Sequence, residues 1–443
     1  MGACRSCHDQ MRTAILAVLL SSSAFAASPK IGVEVHRDLA SSDTVPVIVM
    51  LRDQPVAQMR MTREEVIDET PTLSVVRRWS AVPGFAATIG RDAIAALEAN
   101  PNVVKVDIDE GGRYALAQSV PLIKGDVTRN LGFTGRGVTV AIVDSGVDLT
   151  HPDLRDAITD EACFCSGCCP NGNSAQFGPG AGLDENGHGT NVAGIVASRG
   201  VVAAKGVAPD ANLVIVRVLD RNGSFAATSQ VVSGLDWVLT QRPDVKVVNM
   251  SLLTNATFPG HCDTATAFTM AFSNVIRQLR ANGVAVFACS GNSSLTTQMP
   301  APACVADSIS VGAVYDANVG PVSIFDCSDA STAPDQVTCF SNTNSTLDLL
   351  GPGAPITSDG LNGGRSTFFG TSQATPHAAG AAAVMLGINP FLSVNEIEQI
   401  LKNTGKPILD SRIGLSTPRI DVSAAAQAVP KLQLGPRRRA VRH

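Results

Sequence analysis

"GVTVAIVDSG" (137–146) is an apolar run that stops abruptly at an aspartate. Val138, Val140, Ala141, Ile142 and Val143 are interrupted only by Thr139. A strand with one wet face alternates apolar and polar residues. A near-continuous apolar run fits a strand buried on both faces, as in a parallel sheet covered by helices. The same texture returns in "NLVIVRVLD" (212–220), "VKVVNMSL" (245–252), "GVAVFACSGN" (283–292) and "SISVGAV" (308–314), with helical stretches between. This order predicts an α/β fold: a doubly wound, mostly parallel sheet with helices on both faces.

Ligands of such sheets bind outside the carboxyl ends of the strands. Asp144 stands at one such end, in a tight Asp-Ser-Gly turn. "NGHGTNVAGIVAS" (186–198) puts His188 between two glycines at the start of a small-residue helix. "FFGTSQATPHAAG" (368–380) puts Ser372 at the N-terminal tip of a second helix, because Pro376 is tolerated only in opening turns. A serine hydroxyl needs a base, and an imidazole needs a carboxylate to fix its tautomer. Taken singly, these residues read as turn-former, surface histidine and N-cap. Together, in the order Asp, His, Ser, they point to nucleophilic catalysis. His151, His261 and His377 lack the glycine-flanked helix-start setting.

The motifs "DSGVDLTHPDL" (144–154), "NGHGTNVAG" (186–194) and "GTSQATPHAAG" (370–380) resemble the three signatures of the subtilisin-like serine peptidases. The likeness runs from about residue 117 to 428. G-T-S-x-A in place of G-x-S-x-G argues against an α/β-hydrolase. The resemblance implies a serine endopeptidase with Asp144, His188 and Ser372 as catalytic triad, and Asn292 of "ACSGN" as oxyanion-hole donor. It implies a substrate groove at Ser251, Leu252, Leu253, Gly223, Ser290 and Gly291. No acidic residue stands at the expected S1 base, which favours an apolar P1 side chain. Residues from about 45 to 110 look like the family's inhibitor-type propeptide, with strands at 45–51, 84–90 and 103–109 and a helix at 91–103. Helical pattern fills much of the stretch between the first two strands. Self-cleavage is expected between Leu116 and Ala117.

Three departures from the family stand out. Gln373 replaces the usual methionine, and Leu253 replaces the usual glycine, crowding the S2–S4 region. The loop "SRGVVAAKGVAP" (198–209) is shorter than in calcium-binding subtilisins. Asp153 matches a family calcium ligand and Gln118 a second, but the altered loop puts that site in question. The chemistry requires no cofactor, and the resemblance leaves room for structural calcium elsewhere.

The chain's 443 residues suffice for a large core and a smaller module. Arg12, the apolar run "AILAVLL" (14–20) and "SSSAFAAS" have the layout of a signal peptide, with cleavage after Ala26 or Ala27. The expected organisation is a signal peptide (1–26), a propeptide (27–116), a peptidase domain (117–430) and a basic tail (431–443). The product is expected to be a secreted, extracellular or periplasmic monomer. Its partners would be protein or peptide substrates and its own propeptide. A net charge of −5 gives no nucleic-acid footprint, and no later segment is apolar enough for a membrane helix.

There are 11 cysteines, of which Cys4 and Cys7 would leave with the leader and nine remain. Secretion favours local disulfides: within the loop of Cys163, Cys165, Cys168 and Cys169, from Cys262 to Cys304, and around Cys327 and Cys339. That leaves Cys289 as a buried thiol. Zinc in the four-cysteine loop is the alternative, but structural zinc usually takes two well-separated ligand pairs. Two rival functions are a catalytically silent binding protein and an esterase.

Overall fold

The computed structural model describes residues 30–79, 82–109 and 116–430. The expected leader, the connector 110–115 and the basic tail lie outside the described residues. The chain forms two compact units, one up to Gly112 and the other from Arg113 onward.

In the first unit, four antiparallel strands lie in the order Leu73–Arg78, Gly84–Gly90, Thr44–Leu51, Val103–Ile108. Val45, Val47, Val49 and Leu51 alternate into one core with Val35 and Leu39 of the Val33–Ser41 helix, Val66 of Val56–Glu69 and Leu97 of Ala93–Ala99. The helical pattern after residue 56 stops at Thr70, before Pro71, as the restriction on a residue preceding proline requires. Beyond that proline, Leu73–Arg78 is a strand that the helical reading of this stretch does not contain. Its residues, Leu-Ser-Val-Val-Arg-Arg, do not alternate apolar and polar, so periodicity gave it no signal.

The second unit is built on a ten-stranded sheet. Its order is Lys406–Asp410, Leu415–Arg419, Leu349–Ala354, Ile309–Tyr315, Ala285–Cys289, Val245–Met250, Thr139–Asp144, Asn212–Arg217, Ile158–Cys163, Gln176–Phe177. All neighbours are parallel except the outermost pair at each end. The strand Thr139–Asp144 is buried along its whole length, as its sequence predicts. Val140 and Ile142 enter one core with Val192 and Ile195 of the His188–Ala197 helix and Ala378 and Ala382 of Thr371–Ile388. Ala141 and Val143 enter the opposite core with Leu235 of Thr228–Gln241 and Phe272 and Ile276 of Ala267–Ala281. The chain progresses away from Thr139–Asp144 in both directions. This strand and Val245–Met250 therefore flank the point where the winding reverses, and their carboxyl ends open a crevice.

Among the described residues four disulfides are present: Cys163–Cys169, Cys165–Cys168, Cys262–Cys304 and Cys327–Cys339. The four-cysteine loop thus spends its sulfurs on each other and offers no zinc ligand set. Cys289 is a buried free thiol whose pKa burial pushes up to about 12. Among the described residues no helix is long and apolar enough to cross a membrane.

Candidate active site

Asp144 ends its strand fully buried, and its Oδ1 accepts the Ser145 N–H at 2.7 Å. The same oxygen lies 2.8 Å from His188 Nδ1. Since the carboxylate can only accept, Nδ1 carries the proton and Nε2 is left as the acceptor. His188 opens its helix after Gly187, whose φ of 96° is a left-handed value that favours glycine. On the other side, a Cβ on Gly189 would meet Gly146 O at 2.1 Å, so only glycine lets the helix start approach the strand end.

Asp184 organises this corner, although it lies just upstream of the stretch the motif reading used. Its Oδ1 accepts from Ser145 Oγ (3.0 Å), Asn186 N (2.9 Å) and Gly187 N (3.0 Å). Its Oδ2 accepts from Thr190 N (3.0 Å) and Thr190 Oγ1 (2.6 Å). Ser145 Oγ in turn accepts the Gly189 N–H at 2.9 Å, joining the aspartate turn to the histidine helix. The signal for it was an acidic residue near a helix start, where N–H groups lack partners. Burial alone would lower the His188 pKa, but the charge and hydrogen bond of Asp144, with the charge of Asp184, raise it above the ordinary histidine value.

Ser372 is the second residue of the Thr371–Ile388 helix. Its Oγ donates to Ser251 O at 3.2 Å. Pro376, four residues on, has no N–H to give to Ser372 O. Ser251 Oγ supplies the missing donor at 2.7 Å, which is how the helix tolerates proline beyond its first turn. Asn292 Oδ1 accepts from Thr371 N and Thr371 Oγ1, both at 2.9 Å. Two donors on the oxygen fix the amide orientation and leave Nδ2 as its remaining hydrogen-bonding group, a donor.

A groove of about 770 Å³ runs along this edge, lined by His188, Ser372, Gly223, Phe368 and the segment Ser251–Ala256. It brings together Gly223, Ser251, Leu252 and Leu253 of the expected substrate residues. Ser290 and Gly291 are buried and do not line it: Ser290 Oγ donates to Asn342 O at 2.8 Å and Gly291 N to Thr371 Oγ1 at 3.0 Å. Phe368 sets its ring at a steep angle to that of His188, with centroids 5.8 Å apart. His377 is fully buried on the same helix as Ser372, with Nδ1 on Gln373 O and Nε2 on Ser119 Oγ, and burial lowers its pKa to about 4.

The residues matching the family's calcium site do not fit a cation. The two oxygens of Asp153 accept the backbone N–H groups of Val201, Val202 (2.8 Å) and Ala203 (2.9 Å). Positive ends of N–H dipoles thus converge where a cation would sit. Gln118 is exposed. His151, Asp153 and Asp359 have ligand-type atoms within 4.8 Å of one another. However, His151 Nδ1 accepts from Asp153 N and its Nε2 is bonded to Gly364 O, so the ring has no free nitrogen.

A carboxylate, an imidazole and a helix-tip serine gathered at the carboxyl edge of a parallel sheet define a serine hydrolase. The model of the subtilase family matches residues 135–420. Subtilisin E of Bacillus subtilis (strain 168) is 32% identical over 395 residues, covering 87% of this chain and 92% of its own. A subtilisin of Bacillus pumilus is 34% identical over 319 residues, covering 70% of this chain and 100% of its own. Among solved structures, a cold-adapted subtilisin-like serine proteinase superposes with a TM-score of 0.50 and 30% identity, over 65% of this chain and 89% of that one. The chain belongs to the subtilase family and is a serine endopeptidase.

Proposed function

We propose that the protein is a secreted endopeptidase that matures itself and cleaves peptide bonds through Ser372, His188 and Asp144. The observation that carries this reading is the 2.8 Å contact of His188 Nδ1 with Asp144 Oδ1 beside a groove that Ser372 also lines. In the resting arrangement the Ser372 hydroxyl donates to Ser251 O. Catalysis requires it to turn to His188 Nε2, which takes the proton as Oγ attacks the substrate carbonyl. Asp144 stabilises the imidazolium that forms. The oxyanion is met by the first-turn N–H of Ser372 and by Asn292 Nδ2. His188 then protonates the leaving amine, and water repeats the sequence to release the acyl group.

Ser251–Leu253 would pair with an extended peptide by strand addition. Leu253, partly exposed in the groove, narrows its S2–S4 side and favours small or extended residues there. The chemistry needs no cofactor. With Asp153 committed to backbone N–H groups, any structural calcium would bind elsewhere.

The first unit would serve as an intramolecular inhibitor, removed by cleavage at Leu116–Ala117. That bond begins the Leu116–Leu122 helix, so this first turn must unwind to enter the site. Intact-mass measurement of purified wild type and Ser372→Ala tests the whole reading. The expected result is a wild type lacking its first 116 residues and a mutant that keeps its propeptide. Equal processing of the two would overturn self-maturation.

A further inference from the structure

A line of buried side-chain amides joins the residue after Ser372 to the helix that begins at His188. Gln373 is 1% exposed, and its Nε2 donates to Asn191 Oδ1 at 3.3 Å. Asn191 is fully buried and lies one helical turn beyond His188. Its Nδ2 donates to Ser366 O (2.9 Å) and Ser366 Oγ (3.1 Å). Ser366 Oγ donates to Asp359 O (3.1 Å), across the hairpin of Ile356–Gly360 and Gly364–Phe368. Three elements, carrying Ser372, His188 and Phe368, are therefore tied by one chain of hydrogen bonds.

Both helices also give small apolar residues to the same core, Val192 and Ala193 from one and Ala374 and Ala378 from the other. Apolar contact is non-directional. Interdigitated packing limits how the helices move, but repeated small residues select one register less sharply than a paired donor and acceptor do. A buried hydrogen bond does resist sliding, because separating the partners leaves a donor and an acceptor without water. Neither Gln373 nor Asn191 lines the substrate groove.

We propose that Gln373 and Asn191 are positioning residues that fix the register between the Ser372 hydroxyl and the His188 ring for proton transfer. The proposal rests on the triad reading. The test compares wild type, Gln373→Met, Asn191→Ala and the double variant on a peptide anilide. Active sites are counted by a fluorophosphonate and folding is followed by thermal melting. Each single variant is expected to lose about 10- to 100-fold in kcat, the range a misplacement of catalytic groups produces, with KM within about twofold of wild type. The double variant should be no slower than the slower single one, since both remove the same bond. Should Gln373→Met fail to accumulate, Gln373→Leu removes the donor without adding a charge and is judged by the same criteria. A kcat within about twofold of wild type, a loss confined to KM, or losses that simply multiply would overturn the proposal. A wild type that takes no label on Ser372 would instead overturn the triad reading beneath it.

Discussion

Asn292 is held by its oxygen, so that its amide nitrogen is the group left to meet developing charge. Replacing it with leucine keeps the bulk and removes the donor. Asn292→Leu should lower kcat about 10²- to 10³-fold with little change in KM, as loss of one oxyanion donor does elsewhere. A change confined to KM would remove Asn292 from that role. His188 supports a second expectation. Its pKa is raised above the ordinary histidine value, against the effect of burial, by Asp144 and then Asp184. A protonated ring cannot accept the serine proton. Activity should therefore fall on acidification through a midpoint above about 6.5, the unperturbed value. In the profile of kcat/KM against pH, a midpoint at or below that value would contradict this electrostatic balance. The proposed triad was legible because chemistry and motif coincide in its three residues. Asp184 was not, because an aspartate near a helix start has an ordinary structural reading, and only the folded chain gathers Ser145, Gly187 and Thr190 around it.

At the scale of elements, the sequence announced most strands of the large sheet through their apolar runs, since burial on both faces leaves no room for polar alternation. It announced the Ser372 helix through small residues and Pro376. It did not announce how that helix satisfies Ser372 O, because the Ser251 donor comes from a distant strand end. Leu73–Arg78 was read within a helical pattern because its sequence, with two valines and then two arginines in a row, shows no clean period of two. The Asp153 corner shows how the loop after the His188 helix sets the chemistry of a buried carboxylate. Burial would raise the pKa of Asp153, but three backbone N–H groups outweigh it and lower the value. The stabilisation this gives is present above the unfolded-state value and is lost as pH falls through the folded one. Asp153→Ala should destabilise the enzyme by about 1–3 kcal/mol, the cost of leaving the buried Ala203 N–H unpaired. Thermal melting should give the same deficit with calcium or with a chelator. A calcium-dependent gain in wild type that vanishes in the variant would show that a cation binds there after all.

At the scale of the whole molecule, cysteine usage, the expected leader and the two folded units are consistent with a chain made for export with a removable first part. Cys262–Cys304 closes the longest disulfide loop, 42 residues in sequence, while the other three are local. The sequence suggested the pairs Cys262–Cys304 and Cys327–Cys339 but left the pairing inside the four-cysteine loop open, since four sulfurs so close in sequence allow several connectivities. The central claim is that Ser372 becomes nucleophilic because His188, oriented by Asp144, removes its proton. Its most direct test is fluorophosphonate labelling of wild type, Ser372→Ala and His188→Ala, with the modified residue mapped by mass spectrometry. The label should fall on Ser372 alone, vanish in Ser372→Ala, and form orders of magnitude more slowly in His188→Ala. Label on another residue, or His188→Ala reacting as fast as wild type, would contradict the account.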